Sequence, residues 1–297
     1  MIVTVAENIN IMSKTYGPAI RAKEAKPIQE LAVKLTEAGA DYLDLNLGPA
    51  RKGGAELMDW LVRTVQEATP LPLYLDTTNA DAVEAGLKAY KNKKGKAVIN
   101  SIPAVPERMD REIPLAKNLG AGLVALCYGP DGIPRDENER GALAAELLYR
   151  CQDAGIAAED MWFDPIVVPV ATQQQQVTAC LNFVGMLGEL APGCRSTCGL
   201  SNVSNGVNDW DKRQVLNQIY LAMLKHLGLQ AAIVDPFDKA LMDIAKDRRP
   251  ELDKLVGRVL DGETIDVGPL SKDERNIVKT VNVLTGKILF SESWLDV

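Results

Sequence analysis

Short runs of β-branched, aromatic and aliphatic residues alternate along the chain with longer stretches in which apolar residues return every three or four positions. The first pattern predicts strands and the second amphipathic helices, and their regular succession marks βα units. Strands are expected at residues 2–7, 42–47, 73–77, 96–101, 122–128, 161–165, 195–198 and 229–236. Helices are expected at 27–39, 55–68, from Asn79, at 106–119, after Asp136, after Thr172, from Trp210 and at 237–245. Several boundaries carry their own chemistry. Pro27 suits a first helical turn and Gly39 a C-terminal cap. Asn79 is a good N-cap, and Asp136 with Glu139 and Thr172 with Gln175 have capping-box spacing. On that reading Gln173–Gln176 is a solvated first turn.

Eight strand–helix pairs within residues 1–247 predict an α/β fold, a (β/α)8 TIM barrel. Residues 248–297 add two helical patterns, near 250–260 and 272–285, and a polar tail. They are expected as a C-terminal helical extension of the same domain, packed outside the barrel or under it. No internal repeat or Pro/Gly/Ser-rich linker divides the chain.

In a parallel barrel all strand C-termini open on one face, which is where such folds place their chemistry. Here those ends carry Glu7 and Asn10, Asp44 and Asn46, Asp76 and Thr77, Asn100 and Ser101, Asp164, Ser201 with Asn202 and Asn205, and Asp235. Single Asp or Asn residues at strand ends are often only turn formers or caps, the reading preferred for Asn79 and Asp235. Repetition on nearly every strand predicts a ring rich in carboxylates and amides and poor in cations. The centre of that ring is the stretch from Gly199 to Gly206, with Asn202 poised to act.

A phosphate ligand would ask for a glycine-rich loop and basic side chains. The nearest approach, residues 48–54, contains Arg51 and Lys52 and is read as an exposed basic loop. Carboxylates of this kind can hold Mg²⁺. A flat heterocycle with adjacent N–H and NH₂ donors fits the ring better, because carboxylates accept such donors in pairs and amides match ring nitrogens and carbonyls.

Charge and cysteine usage narrow the field. The 297 residues carry a net charge of −7, with no basic face for nucleic acid. No run is long and apolar enough to span a membrane, and no signal peptide is visible. An odd set of five cysteines then favours reduced thiols and a cytoplasmic location. Cys194 and Cys198, on one strand, would stand roughly 13 Å apart, too far to share an ion. His226 is the only histidine and sits near a helix C-terminus. A histidine triad and a multi-histidine metal centre are therefore excluded, and no metal site is expected.

The strings Tyr42-Leu43-Asp44-Leu45-Asn46-Leu47-Gly48-Pro49, Leu75-Asp76-Thr77-Thr78-Asn79, Val98-Ile99-Asn100-Ser101, Asp164-Pro165 and Gly199-Leu200-Ser201-Asn202-Val203-Ser204 resemble the pterin-binding barrels. The likeness is greatest to the methyltetrahydrofolate:corrinoid protein methyltransferases and covers residues 2–246. It implies that Asp76, Asn100 and Asp164 hydrogen-bond the pterin of tetrahydrofolate or 5-methyltetrahydrofolate. It implies that Asn202 reaches N5, and that Asp44, Asn46, Gly199 and Ser201 shape the pocket; the ring of polar strand ends adds Glu7 as a further pocket residue. Asn205 stands where a relative carries Gln. A homodimer is expected on the same ground. The chain has no Asp-x-His-x-x-Gly cobalamin signature, so the corrinoid (cobalamin) would arrive on a separate partner protein at a broad, open mouth.

Two competing readings remain. Dihydropteroate synthase shares this architecture but needs basic and histidine residues at the end of the last strand, where this chain has Val234-Asp235-Pro236-Phe237-Asp238. A non-catalytic folate-binding protein would keep the ring and have no use for Asn202 as a donor.

Overall fold

A computed structural model describes residues 1–92 and 94–296. Eight parallel strands run in the order β7-β6-β5-β4-β3-β2-β1-β8. They are β1 Val3–Asn10, β2 Tyr42–Gly48, β3 Leu73–Thr77, β4 Val98–Pro103, β5 Gly122–Leu126, β6 Met161–Asp164, β7 Arg195–Ser196 and β8 Ala231–Val234. The ring is a (β/α)8 barrel whose weakest seam lies between β7 and β8. There the Ile233 amide donates to the Cys198 carbonyl at 2.8 Å. Gln230 and Ser196 complete the seam, each accepting through its side chain from the other's backbone amide.

Helices α1 Gly17–Ala22, α2 Ala25–Glu37, α3 Gly54–Ala68, α4 Ala80–Ala89, α5 Pro106–Leu119, α6 Glu137–Asp153, α7 Val170–Leu190, α8 Trp210–His226 and α9 Lys239–Ala245 surround the ring. Strand alternation assigns the faces. In β2, Leu43, Leu45 and Leu47 join the helix-facing core with Leu31 and Leu35 of α2 and Leu61 of α3. Tyr42, between them in phase, joins the separate interior cluster with Tyr74 and Trp162. These three rings meet edge to face at 5.4–6.0 Å, and the Arg195 guanidinium lies 4.6 Å from the Trp162 centroid. That aromatic plug closes the N-terminal end of the barrel and leaves the C-terminal end for the polar ring.

Helices α10 Pro250–Leu260 and α11 Lys272–Leu284 pack on each other and on α8, outside the ring. His226 stands at this contact, bonded to Asp261 at 2.9 Å, and a Cβ on Gly257 would collide with its ring. Its position is structural.

Local expectations failed in four places. The stretch between the expected first strand, 2–7, and the expected first helix, 27–39, is not all connection: β1 runs on to Asn10 through an irregularity between Ala6 and Ile9, and α1 follows. Helix α2 starts at Ala25, so Pro27 is its third residue. The Thr172–Gln175 capping box does not form, because α7 opens at Val170 behind Pro169 and Gln173 breaks the helical backbone. Nor is the glutamine run a solvated turn, since Gln174 and Gln176 both make specific long-range bonds. Asp136 does cap α6 by accepting from the Glu139 amide, but Glu139 returns its carboxylate to Arg135 instead of closing the box.

Candidate active site

Register lines up the first row of the ring. Asn46 pairs with Asp76 and Asp76 with Asn100 across β2, β3 and β4, so a polar side chain from each strand enters at one height. Asp44 lies one inward position lower, opposite Tyr74 and just above the plug. The β1 irregularity brings Glu7 into the same space. β6 ends on Asp164, paired with Leu126 of β5.

These strand ends enclose a cavity of about 330 Å³. Of the residues expected at the site, Glu7, Asp44, Asn46, Asp76, Asp164, Gly199, Ser201 and Asn202 line it. Asn100 sits behind this lining, where it donates to Asp44 at 3.1 Å. Asn205 is at the rim outside the lining and touches the cavity only through Asn202. Asp235 and Asn79 serve their own loops: Asp235 accepts from Asn8 and the Phe237 amide, and Asn79 caps α4.

Each acid has a partner. Asn46 donates to Asp76, and its oxygen accepts from the Gly48 amide at 3.0 Å. Ser201 Oγ donates to Glu7 at 2.9 Å, and the Ile166 amide donates to Asp164 at 2.7 Å. Among the described residues, no lysine or arginine lines the cavity. Burial is therefore the leading cause of three raised pKa values, about 7 for Glu7, Asp76 and Asp164. Asp44 is pushed well above the carboxylate range, by burial first and then by the neighbouring charge of Asp76. The Asp44–Asp76 pair thus retains a proton near neutrality.

The stretch after β7 is a 3₁₀ turn, Leu200–Ser204, not a continuing strand. Its geometry fixes the amide of Asn202. Asn205 Nδ2 donates to Asn202 Oδ1 at 3.1 Å, which leaves the Asn202 NH₂ as the free end. That nitrogen lies over Gly199, where an added Cβ would stand 3.0 Å from it. Asn202 is solvent-exposed at the cavity rim.

Sequence reasoning missed the apolar side of the cavity, formed by Leu126, Ile166, Val167 and Ile233. Ile166 has φ +63°, a left-handed conformation costly for a β-branched residue, and the bond from its amide to Asp164 holds it there. Also missed was Arg140, fully buried beneath this loop. It donates to the Pro165, Pro134 and Asp136 carbonyls and to Gln176, and its charge pulls the Asp164 pKa down. A buried guanidinium with only neutral acceptors leaves no pattern in a single sequence.

A family model described as pterin binding enzyme matches residues 12–235. The chain belongs to the pterin-binding enzyme family. Among its relatives is a methylcorrinoid:tetrahydrofolate methyltransferase of Eubacterium limosum, 26% identical, the match covering 81% of this chain and 87% of that one. A methionine synthase of Mycobacterium leprae is 27% identical over 80% of this chain, which spans only 21% of that longer protein. In fold, this pterin-binding barrel resembles the dihydropteroate synthase of Xanthomonas albilineans solved with 7,8-dihydropteroate. The TM-score is 0.64 at 18% identity, covering 84% of this chain and 92% of that one. No helix among the described residues is long and apolar enough to cross a membrane.

Proposed function

We propose that this chain is a methyltransferase that moves a methyl group between N5 of tetrahydrofolate and the cobalt of a corrinoid carried by a separate protein. The observation that carries the reading is the Asn202 amide, its oxygen occupied by Asn205 and its NH₂ free at the edge of an acid-ringed cavity. The names of the methylcorrinoid:tetrahydrofolate methyltransferase and methionine synthase relatives support it.

In this reading Asp76 and Asp164, backed by Asn100, accept the paired N–H donors of the pterin edge. Asn46 holds Asp76, Asp44 holds Asn100, Ser201 holds Glu7, and Leu126, Ile166 and Ile233 cover an apolar part of the ring. Transfer from folate breaks the N5–CH₃ bond, leaves the electron pair on N5 and requires a proton there. A Co(I) corrinoid supplies the nucleophile. The protein must lower the cost of charge growing on N5, which a hydrogen bond from Asn202 does selectively as the bond breaks. Glu7, which titrates near 7 and does not grip the ring edge, is the acid left to supply the proton that finally neutralises N5.

The fold neighbour favours a second reading, a dihydropteroate synthase-like condensation. A pterin diphosphate would face Glu7, Asp44, Asp76 and Asp164 in a cavity that no cation among the described residues lines. The last strand ends in Asp235, bonded to Asn8, and the nearby Arg213 lines a neighbouring pocket with Glu7 and Asp235, not this cavity. Electrostatics therefore disfavour the diphosphate.

The test mixes the protein with 5-methyltetrahydrofolate and a Co(I) corrinoid and follows the cobalt absorption, then repeats it with methylcobalt and tetrahydrofolate. Methyl exchange in at least one direction is expected; its absence in both would falsify the assignment. Within that assay Gly199→Ala should slow transfer about tenfold. The new Cβ must displace the Asn202 amide by a few tenths of an ångström, while folate binding, measured by calorimetry, stays close to wild type.

A further inference from the structure

The segment 286–296 lies beyond α11 and outside the family match. Trp294 anchors it, buried to 2% exposure, with its ring N–H donating to Thr280 at 3.0 Å. At one end Gln174 grips it through two backbone bonds and ties it to the end of α11 through a third. Its amide nitrogen donates to the Val283 and Ile288 carbonyls, both at 2.7 Å, and its oxygen accepts from the Phe290 amide at 3.2 Å. At the other end a single oxygen of Glu292 accepts from both the backbone and side-chain nitrogens of Asn208, at 3.3 and 3.0 Å. Lys212 donates to the Glu292 carbonyl and pairs with Asp296 at 3.0 Å.

Gln174 follows the strained turn that carries Asp164 and Ile166, and Asn208 follows the turn that carries Asn202 and Asn205. The segment therefore joins the two loops on either side of the β7 end. Within residues 205–209 Asn208 has no backbone bond to its own loop. Their own backbone bonds are those of Asn205 to Asn202 and Val207 to Ser204, Asp209 ties on to α8 by accepting from Arg213 and Lys212, and between the buried Val207 and that cap Asn208 is exposed. Arg213 reaches Asn205 and Ser204 only at 3.5 Å. Glu292 thus supplies the hydrogen bonds that hold Asn208 from outside the loop.

We propose that residues 286–296 form a strap that sets the position of the Asn202 turn, with Glu292 as its positioning residue. The proposal rests on the role given to Asn202 above. Glu292 touches no reacting atom. It holds Asn208, the loop holds Asn205, and Asn205 fixes the Asn202 oxygen and so the direction of its NH₂.

The test uses the full chain with Glu292→Ala and Glu292→Gln. Glu292→Ala should raise amide hydrogen exchange severalfold in residues 199–209 and leave the barrel strands unchanged. It should lower kcat about three- to tenfold, the worth of one or two such bonds, with KM for 5-methyltetrahydrofolate within about twofold. Glu292→Gln keeps an acceptor oxygen and should restore both exchange and kcat. Unchanged exchange in Glu292→Ala overturns the strap, and so does raised exchange with unaltered kcat. If wild-type protein transfers no methyl group, exchange still decides the strap, and the failure belongs to the methyltransferase reading.

Discussion

Replacing Asn202 with alanine should slow methyl transfer about 100- to 1000-fold while tetrahydrofolate affinity changes by less than about threefold. The magnitude is that of one lost donor to charge that develops only in the transition state, roughly 2.7–4 kcal/mol. Binding survives because the cavity's acids hold the pterin in the ground state, whereas the Asn202 bond strengthens as the N–C bond breaks. Single-turnover rates and equilibrium titration of the two proteins separate the effects. Equal rates would return the chain to the class of folate-binding proteins.

Asp164→Asn should do the opposite. It should weaken tetrahydrofolate binding by at least about tenfold, since a hydrogen bond to a charged group contributes about 1.5–3 kcal/mol and the amide puts a donor where the ligand also donates. The bond from the Ile166 amide survives, because Asn keeps the equivalent oxygen. The same variant should make the unliganded protein more stable. Asp164 has a folded pKa of about 7, raised chiefly by burial, against about 4 in an unfolded chain. The folded state thus binds more protons than the unfolded one between those values, and its stability falls as pH rises from about 4 to 7. At and above neutrality the cost for this one carboxyl is on the order of 4 kcal/mol. Glu7 and Asp76 add costs of the same sign. Wild-type melting temperature should therefore drop between pH 5 and 7.5, and Asp164→Asn should reduce that slope and raise the value at pH 7.5. A lower melting temperature at pH 7.5 would show that Asp164 is held ionised by contacts stronger than those seen. Stability given up for an acidic pocket is the usual exchange at a functional site.

The barrel was legible because its signals are local and periodic. The Leu43, Leu45, Leu47 alternation places Tyr42, Asp44 and Asn46 on the inner face with no knowledge of any partner strand. The position of the polar ring then follows from the rule that parallel strands end together. What was illegible depends on contacts between distant segments. The 3₁₀ turn at Leu200–Ser204 and the two-residue length of β7 arise where Gln230 and the Cys198–Ile233 bond close the barrel. The glutamine run has the composition of a solvated helix start, yet Gln174 and Gln176 are fixed by a C-terminal segment and a buried arginine. Asn205 was legible as polar and near the site; that it acts on Asn202 and not on the cavity required coordinates.

Tyr42, Tyr74, Trp162 and Arg195 stopper the far end of the barrel. Traffic is therefore single-ended: whatever enters the pocket must leave by the doorway it came through. In the proposed reaction a bulky carrier standing over that doorway also blocks the spent vitamin, so the carrier must step aside before the small molecule can be exchanged. Where the carrier covers that doorway, its departure becomes one step of every turnover.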